Sequence, residues 1–408
     1  MTGLLDGIRV LDLTRFLAGP FGSMILADMG ADVVKVEPPD GDSTRVLPPY
    51  FVGDDSAYFL SINRNKRSIV VDLTTSGGQR VLKRLVEHSD VVLDNLRPRQ
   101  RSRLGVSYEQ LRAINPRVVA CSLTGFGSDG PYRDRPAYDI VVQALSGVMS
   151  LTGEPGSPSV RSGVPIGDLV AGMYLAVGVL GAVVERQRSG VGQHIDVAML
   201  DGQVSFLSYL ASYYFVSGVV PGHQGRAHES IPTYNTFEAA DGVELVVAAN
   251  TDEMWKSLCG VLGLDHLVDE ERFATNADRL RHRDELVPLL VAAFKARDAD
   301  AWYEALTAAG VPSAPINTLD RVKRDPQVAH RRMIMDVPHR SDATMQTLGN
   351  PVKASRTYSD DYRSPPGLGE HTRQVLAEAG FSPAEIDALA ADRHIRADEE
   401  ATADADQV

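Results

Sequence analysis

The chain has 408 residues, 43% of them apolar and 23% charged, with a formal net charge of −13 at pH 7. That length allows two or three domains with a sizeable core in an ordinary globular protein, and the acidic excess argues against nucleic acid, whose binding rests on neutralising phosphates. Two cysteines, Cys121 and Cys259, are too few and too far apart for a disulfide framework or a zinc motif, and no basic segment precedes an apolar stretch at the start, so no signal peptide and a reducing, cytoplasmic location are expected.

In chain order, short β-branched runs stand at 8–13, 32–37, 68–73, 90–96 and 117–123, with helical spacing between them at 78–89 and 108–114. Strands and helices alternating at this pitch predict an α/β fold, a doubly wound parallel sheet of the Rossmann kind. The segment after the first run, Thr14 to Gly22 (TRFLAGPFG), lacks both G-x-G-x-x-G and a Walker lysine, which argues against a dehydrogenase. Its Ala-Gly-Pro turn still lets backbone N–H groups approach a ligand at a helix N-terminus. Two basic clusters follow: Arg64, Lys66 and Arg67 in NRNKR, then Arg97, Arg99, Arg101 and Arg103 in LRPRQRSR. Solvated loops and sites for a small polyphosphate ligand are both open to them.

Next comes Val164-Pro165-Ile166-Gly167-Asp168, followed by an apolar run at 169–184. The run is shorter than the roughly 18 residues of a membrane span, and Gly172, Gly178 and Gly181 inside it point to close packing against other backbone. An aspartate at the mouth of this helix reads either as an N-cap or as a nucleophile for acyl transfer. The helix dipole and the free N–H groups of the first turn favour its ionised form. A sixth strand is expected at 194–197. Beyond it lie an aromatic-ended helix at 198–215 and a Gly/Pro-rich passage at 217–225. A compact α/β stretch around Asp241-Gly242 then has helices at 253–262, 284–294 and 299–309. After a break at 312–315 come a helical stretch at 319–328, a β-like stretch to 352, and helices at 369–379 and 383–391. The polar residues from about 397 onward read as disordered.

Eight motifs in one order carry a resemblance. They are LDGIRVLDLTRFLAGP, ADMGADVVKVEPPDGDSTR, NRNKRSIVVDL, DNLRP, NPRVVACSLTGFG, RPAYDIVVQALSGVMSLTGEP, the PIGDLVAGMYLAVGVLGAVVERQRSGVGQHIDVAMLDG stretch, and GEHT. Together they resemble the class III CoA-transferases from Leu5 to about Leu389. The resemblance implies a transfer of CoA from an acyl-CoA thioester to a free carboxylic acid, with the thioester as substrate and no permanently bound cofactor. Asp168 would be the nucleophile, with Gly172 completing the family's GD-L/S-x-x-G motif. It implies CoA contacts at Arg15, Leu17, Ala18, Asn63, Arg64, Asn65, Lys66, Asn95, Leu96, Arg97, Arg103, Ala137, Tyr138 and Asp139; on local sequence alone, Tyr138 reads as a core tyrosine.

The family's architecture implies a large domain from both chain ends (1–190 and 336–396), linkers at 191–221 and 313–335, a small domain at 222–312 and a tail at 397–408. It also implies an interlocked homodimer, or pairing with an unlike subunit, and no membrane partner. Formyl-CoA-transferring members carry glutamine at the position of Leu17 and a glycine-rich gating loop in the smaller domain. Here 225–237 reads GRAHESIPTYNTF, so a larger acyl group such as succinyl is as compatible as formyl. Two rival readings share the scaffold. An α-methylacyl-CoA racemase would need a histidine base where Tyr138 stands, or a base from His228 and Glu229. A non-catalytic acyl-CoA-binding subunit would not require Asp168 and Gly172.

Overall fold

Six short runs rich in β-branched residues form a parallel sheet: β1 (Arg9–Asp12), β2 (Asp32–Glu37), β3 (Lys66–Val71), β4 (Val91–Asp94), β5 (Val119–Thr124) and β6 (His194–Ala198). The structure, a computed structural model, describes residues 3–341, 343–357 and 362–397. The tail expected at 397–408 lies outside the described residues apart from Ala397. The order across the sheet is β3–β2–β1–β4–β5–β6, with every neighbour parallel. A short strand at Ile395–Arg396 pairs antiparallel with β3 at one edge.

Successive residues of each strand go to opposite faces, and both faces are covered. Leu11, Val34, Val36, Ile69, Val71 and Val92 pack on one side with α2 (Ser76–Glu87) and with Val375, Leu376, Ile386 and Leu389 near the C-terminus. Val10, Val33, Val91, Leu93, Val119 and Cys121 face the other side, against α1 (Ala18–Asp28) and a long apolar helix. Strands buried on both faces read as continuous Val/Ile/Leu runs rather than alternating ones, which is why these segments stood out in the sequence. β4 is shorter than the 90–96 expected: Asp94 accepts the Leu96 N–H and turns the chain out of the sheet.

The order of chain segments reverses between β1 and β4, where sequentially remote strands lie side by side. Four further helices reach this region or flank it: α3 (Pro98–Arg103), α4 (Tyr108–Ile114), α5 (Asp139–Leu145) and α6 (Ile166–Ser189). α6 is the apolar helix, and at 24 residues it is longer than its apolar run. By length and composition it would cross a bilayer. Val170, Ala171, Leu175, Ala176, Val179, Ala182 and Val183 are instead buried within the fold, so half of it is a core helix. Its polar last turn stays helical because Arg186 turns inward, donating to Asp90 Oδ1 at 2.8 Å. Gly190 ends it at φ 76°, a left-handed position suited to glycine.

The chain divides into two compact units. One comprises Met1–Val148, Arg161–Tyr209 and His330–Val408, the other Met149–Val160 and Leu210–Ala329. The first also holds an antiparallel hairpin, Ile334–Pro338 with Thr344–Leu348, whose Val337 and Met345 pack on Phe59, Leu60 and Tyr362. The second is built on a three-stranded antiparallel sheet, Ser313–Pro315, Glu244–Ala248 and Tyr234–Glu238, covered by helices. Its core centres on Trp255, Phe237, Phe294 and Trp302. The rings of Phe237 and Phe294 stack at 4.5 Å, and the Trp302 indole N–H donates to Phe294 O.

Candidate active site

In open α/β sheets the crevice outside the carboxyl ends of the strands, where strand order reverses, is where ligands bind. Here a cleft of about 300 Å³ opens at that place. Its walls are the loop after β1 (Arg15, Phe16, Leu17, Ala18), the turn after β4 (Asn95, Arg97), the segment from Thr124 to Tyr138, and the head of α6 with Asp168. Among the residues that the resemblance placed at CoA, it brings together Arg15, Leu17, Ala18, Asn95, Arg97, Ala137, Tyr138 and Asp168.

Asp168 is the third residue of α6, not its N-cap: the cap position is Pro165, which offers no side-chain bond. The first-turn N–H expected to serve Asp168 goes elsewhere. Gly167 N–H donates to Asp139 Oδ1 at 2.7 Å, while Asp139 Oδ2 accepts from Gln143 Nε2 at 2.7 Å. Asp139 is therefore the carboxylate tied to the helix mouth. Burial first, and the nearby Asp139 charge second, push the Asp168 carboxyl up from 3.8 to about 7. The expectation of a favoured carboxylate is thus corrected: desolvation and a like charge favour the neutral form. Tyr58, also in the cleft wall, is pushed up to about 12 by burial and by the charges of Asp168, Asp42 and Asp139.

Tyr138 is not a core tyrosine. It is 67% exposed at the rim, and Phe16 meets its ring edge-on at 6.4 Å. A second groove of about 200 Å³ shares Arg15 and Gln100 with the cleft and continues past Leu96 to Arg103. Five arginines line the pair, Arg15, Arg97, Arg103, Arg133 and Arg135; Arg133 pairs with Asp134 at 3.4 Å, and among the described residues no carboxylate pairs with the other four. The guanidinium of Arg135 lies over the Tyr132 ring at 3.6 Å. An elongated groove with four unpaired guanidinium groups suits a phosphorylated, extended ligand.

The alternating arginines of LRPRQRSR divide by direction. Arg97 and Arg103 reach the grooves, whereas Arg101 is buried, donating to Asp94 Oδ1, Leu96 O and Ser128 Oγ. The placing of Asn63, Arg64, Asn65 and Lys66 at CoA is corrected by the structure, which turns their side chains into the core. Arg64 pairs with Asp28 at 2.6 Å and also donates to Thr347, and Asn65 Nδ2 donates to Asp28 Oδ1. Asn63 donates to Phe59 O, and Lys66 reaches Asp12 and Pro20. A charge cluster looks the same in sequence whether its partners are water or carboxylates 36 and 54 residues away. The sequence reading missed Tyr58, Gln100, Phe126, Arg133, Arg135 and Met199 in the cleft wall. Arg133 and Arg135 form a third basic cluster that charge counting would have found; Tyr58 sits in no recognisable pattern.

A parallel α/β sheet with a desolvated carboxylate beside an arginine-lined groove is chemically suited to acyl transfer from an anionic thioester. Comparison with known proteins agrees with that class: CoA-transferase family III matches residues 5–372. The chain is 40% identical over 381 residues to the succinate–glutarate CoA-transferase of Agrobacterium fabrum, covering 92% of this chain and 95% of that protein. It is 38% identical over 375 residues to the human succinyl-CoA:glutarate CoA-transferase, covering 92% and 85%. A solved structure of a CAIB/BAIF family protein from Brucella suis superposes with a TM-score of 0.83 at 39% identity, covering 93% of this chain and all of that one. The chain belongs to CoA-transferase family III. It is an enzyme that moves CoA from an acyl-CoA thioester to a free carboxylic acid.

Proposed function

We propose that this enzyme takes CoA from succinyl-CoA and gives it to a second short dicarboxylate, with Asp168 as the covalent relay. The observation that carries this reading is the Asp168 carboxyl, raised to about 7 in the wall of the arginine-lined cleft. A carboxylate of raised basicity is a better nucleophile once ionised. Its attack on the thioester carbonyl expels CoA thiolate and leaves an acyl-aspartyl anhydride. The thiolate attacks the aspartyl carbonyl, releasing the donor acid and leaving an aspartyl-CoA thioester. The acceptor carboxylate then attacks that carbonyl, expelling the thiolate and forming a second anhydride. Attack of the thiolate on the acceptor acyl carbon returns free Asp168 and the new acyl-CoA. Each step exchanges groups of similar transfer potential, so no nucleoside triphosphate is consumed.

Arg103 and Arg97 hold the CoA phosphates in this reading, and Arg15 meets the distal carboxylate of the dicarboxylate. The names of the relatives, which join succinyl-CoA with glutarate, support this substrate class. Incubation with succinyl-, acetyl-, formyl- and branched acyl-CoA, trapping with hydroxylamine and mass measurement of the Asp168 peptide test it. An Asp168 hydroxamate with succinyl-CoA is the expected product; CoA binding without an adduct from any donor would refute the reading.

Because the nucleophile must be ionised, kcat/KM rises about tenfold per pH unit below pH 7 and levels off above it. Asp139→Asn removes the like charge beside Asp168, so the acidic limb moves to lower pH. A pH profile that keeps its midpoint in Asp139→Asn would contradict this cause.

The same reading makes the sheet doubly wound, within a large domain built from both ends of the chain and with a smaller domain between them. It makes the protein an interlocked cytoplasmic homodimer. The exposed Tyr213, Tyr214, Phe215, Val216, Val219 and Val220 support an apolar interface there, and the buried free thiols of Cys121 and Cys259 suit a reducing compartment. Sedimentation as an active monomer would overturn the dimer.

A further inference from the structure

The motif Asn63 to Lys66 has no side chain at the cleft, yet the charges buried around Lys66 reach the cleft through the backbone. Lys66 opens β3 with its ammonium in the core, donating to Pro20 O at 3.0 Å, Asn63 Oδ1 at 2.9 Å and Asp12 Oδ2 at 3.3 Å. Asp12, the last residue of β1, accepts from the Thr14 N–H, the Thr14 hydroxyl and the Ser23 hydroxyl. Lys35, in the middle of β2, donates to Thr14 O and to Asp42 Oδ2, both at 2.9 Å. Asn95, after β4, holds both backbone groups of Arg15: its Oδ1 accepts the N–H and its Nδ2 donates to the carbonyl. The segment from Thr14 to Pro20, the loop after β1 and the first turn of α1, is therefore held at Thr14, Arg15 and Pro20 by residues from or beside four strands.

Between these holds lies Phe16, whose φ of 65° is in the left-handed region that aromatic residues rarely adopt. Such a conformation persists only where the surrounding structure over-determines it. Here it aims the Phe16 ring at Tyr138 and sets Arg15, Leu17 and Ala18 in the cleft wall. Lys66 and Lys35, both fully buried, cannot touch a ligand themselves.

We propose that Lys66 and Lys35 are positioning residues for acyl-CoA, acting through buried hydrogen bonds to Pro20 O and Thr14 O that keep segment 14–20 in its binding conformation. This rests on the reading of the cleft as the CoA site. Two double variants test it, each removing a buried charge with its partner so that no lone charge remains: Lys66→Met with Asp12→Asn, and Lys35→Met with Asp42→Asn. In calorimetry with free CoA, either pair should weaken binding at least tenfold. In turnover, KM for the acyl-CoA should rise by a similar factor, with kcat at saturation changing less than threefold. A purely structural role would lower the melting temperature and leave that KM split absent. A folded double variant with wild-type CoA affinity overturns the proposal.

Hydrogen exchange on the wild-type enzyme needs no variant to fold. The Thr14 and Arg15 amides should exchange as slowly as those of β1, and exchange at the rate of an open loop overturns the proposal as well. A wild-type enzyme that binds no CoA would overturn the reading of the cleft instead, and would leave the exchange result to report on the loop.

Discussion

Asp168→Asn should lower the transfer rate by roughly 10⁴-fold or more while leaving CoA affinity within about threefold, because a covalent relay is removed and the binding groove is not. The amide matches the carboxyl in shape but cannot form the anhydride. Single-turnover kinetics with succinyl-CoA would measure the first effect and calorimetry with CoA the second. The same substitution should stabilise the fold above neutrality. Asp168 is raised from 3.8 to about 7, so between those values the unfolded chain ionises while the folded one does not. Wild-type stability therefore falls as pH rises from about 4 to 7 and stays low beyond. The full shift corresponds to about 4 kcal/mol at 1.36 kcal/mol per pH unit. Partial exposure of the side chain reduces that to ~1–3 kcal/mol. The denaturation midpoint of Asp168→Asn should exceed that of the wild type at pH 8, and the gap should close toward pH 4. A variant that retains turnover, or loses stability at pH 8, would sink both the role and the electrostatics assigned to Asp168.

Gly172→Ala should be damaging for so small a substitution. A Cβ there would lie 2.6 Å from Ala18 O and 2.9 Å from Phe21 Cδ1. The reciprocal Gly22 faces Gly172 O at 2.7 Å, so α1 and α6 meet backbone to backbone. Helix propensity alone favours alanine over glycine by about 1 kcal/mol. Forcing a methyl into a close-packed contact costs ~1–3 kcal/mol, and since the obstacle is backbone oxygen, packing wins. The displaced group is the start of α1, which carries Ala18 into the cleft, and a 1 Å misplacement costs about 10²-fold in rate. Expected results are a loss of about 1–2 kcal/mol in stability and a fall in kcat/KM of tenfold or more. Gly181→Ala is the matched control: nothing lies within 4 Å of a Cβ there, so propensity alone should act and the variant should be as stable as the wild type or more so. Equal behaviour of the two variants in denaturation and turnover would remove the helix contact as the reason for Gly172.

Much of this was legible before any coordinates. The Val/Ile runs declared buried parallel strands because a strand covered on both faces is built mostly of apolar residues. Asp168, Gly172 and the apolar run after them stand in one stretch, so their relation is local and visible. What lies far apart in sequence was not. Lys66 and Asp12 are separated by 54 residues, Arg64 and Asp28 by 36, and Gly167 and Asp139 by 28. Each of those pairings reverses or redirects a local inference: a basic cluster becomes core, and a helix-mouth N–H goes to a second carboxylate. The sequence by itself determined the fold class through its periodicity and, through ordered motifs that resemble the class III CoA-transferases, implied the nucleophile candidate and the chemistry of CoA exchange, because periodicity and short motifs are properties of neighbours. Only the tertiary structure decided which arginines face the groove, which charges are buried, and that Asp168 sits near neutrality, because desolvation and pairing depend on what folding brings together.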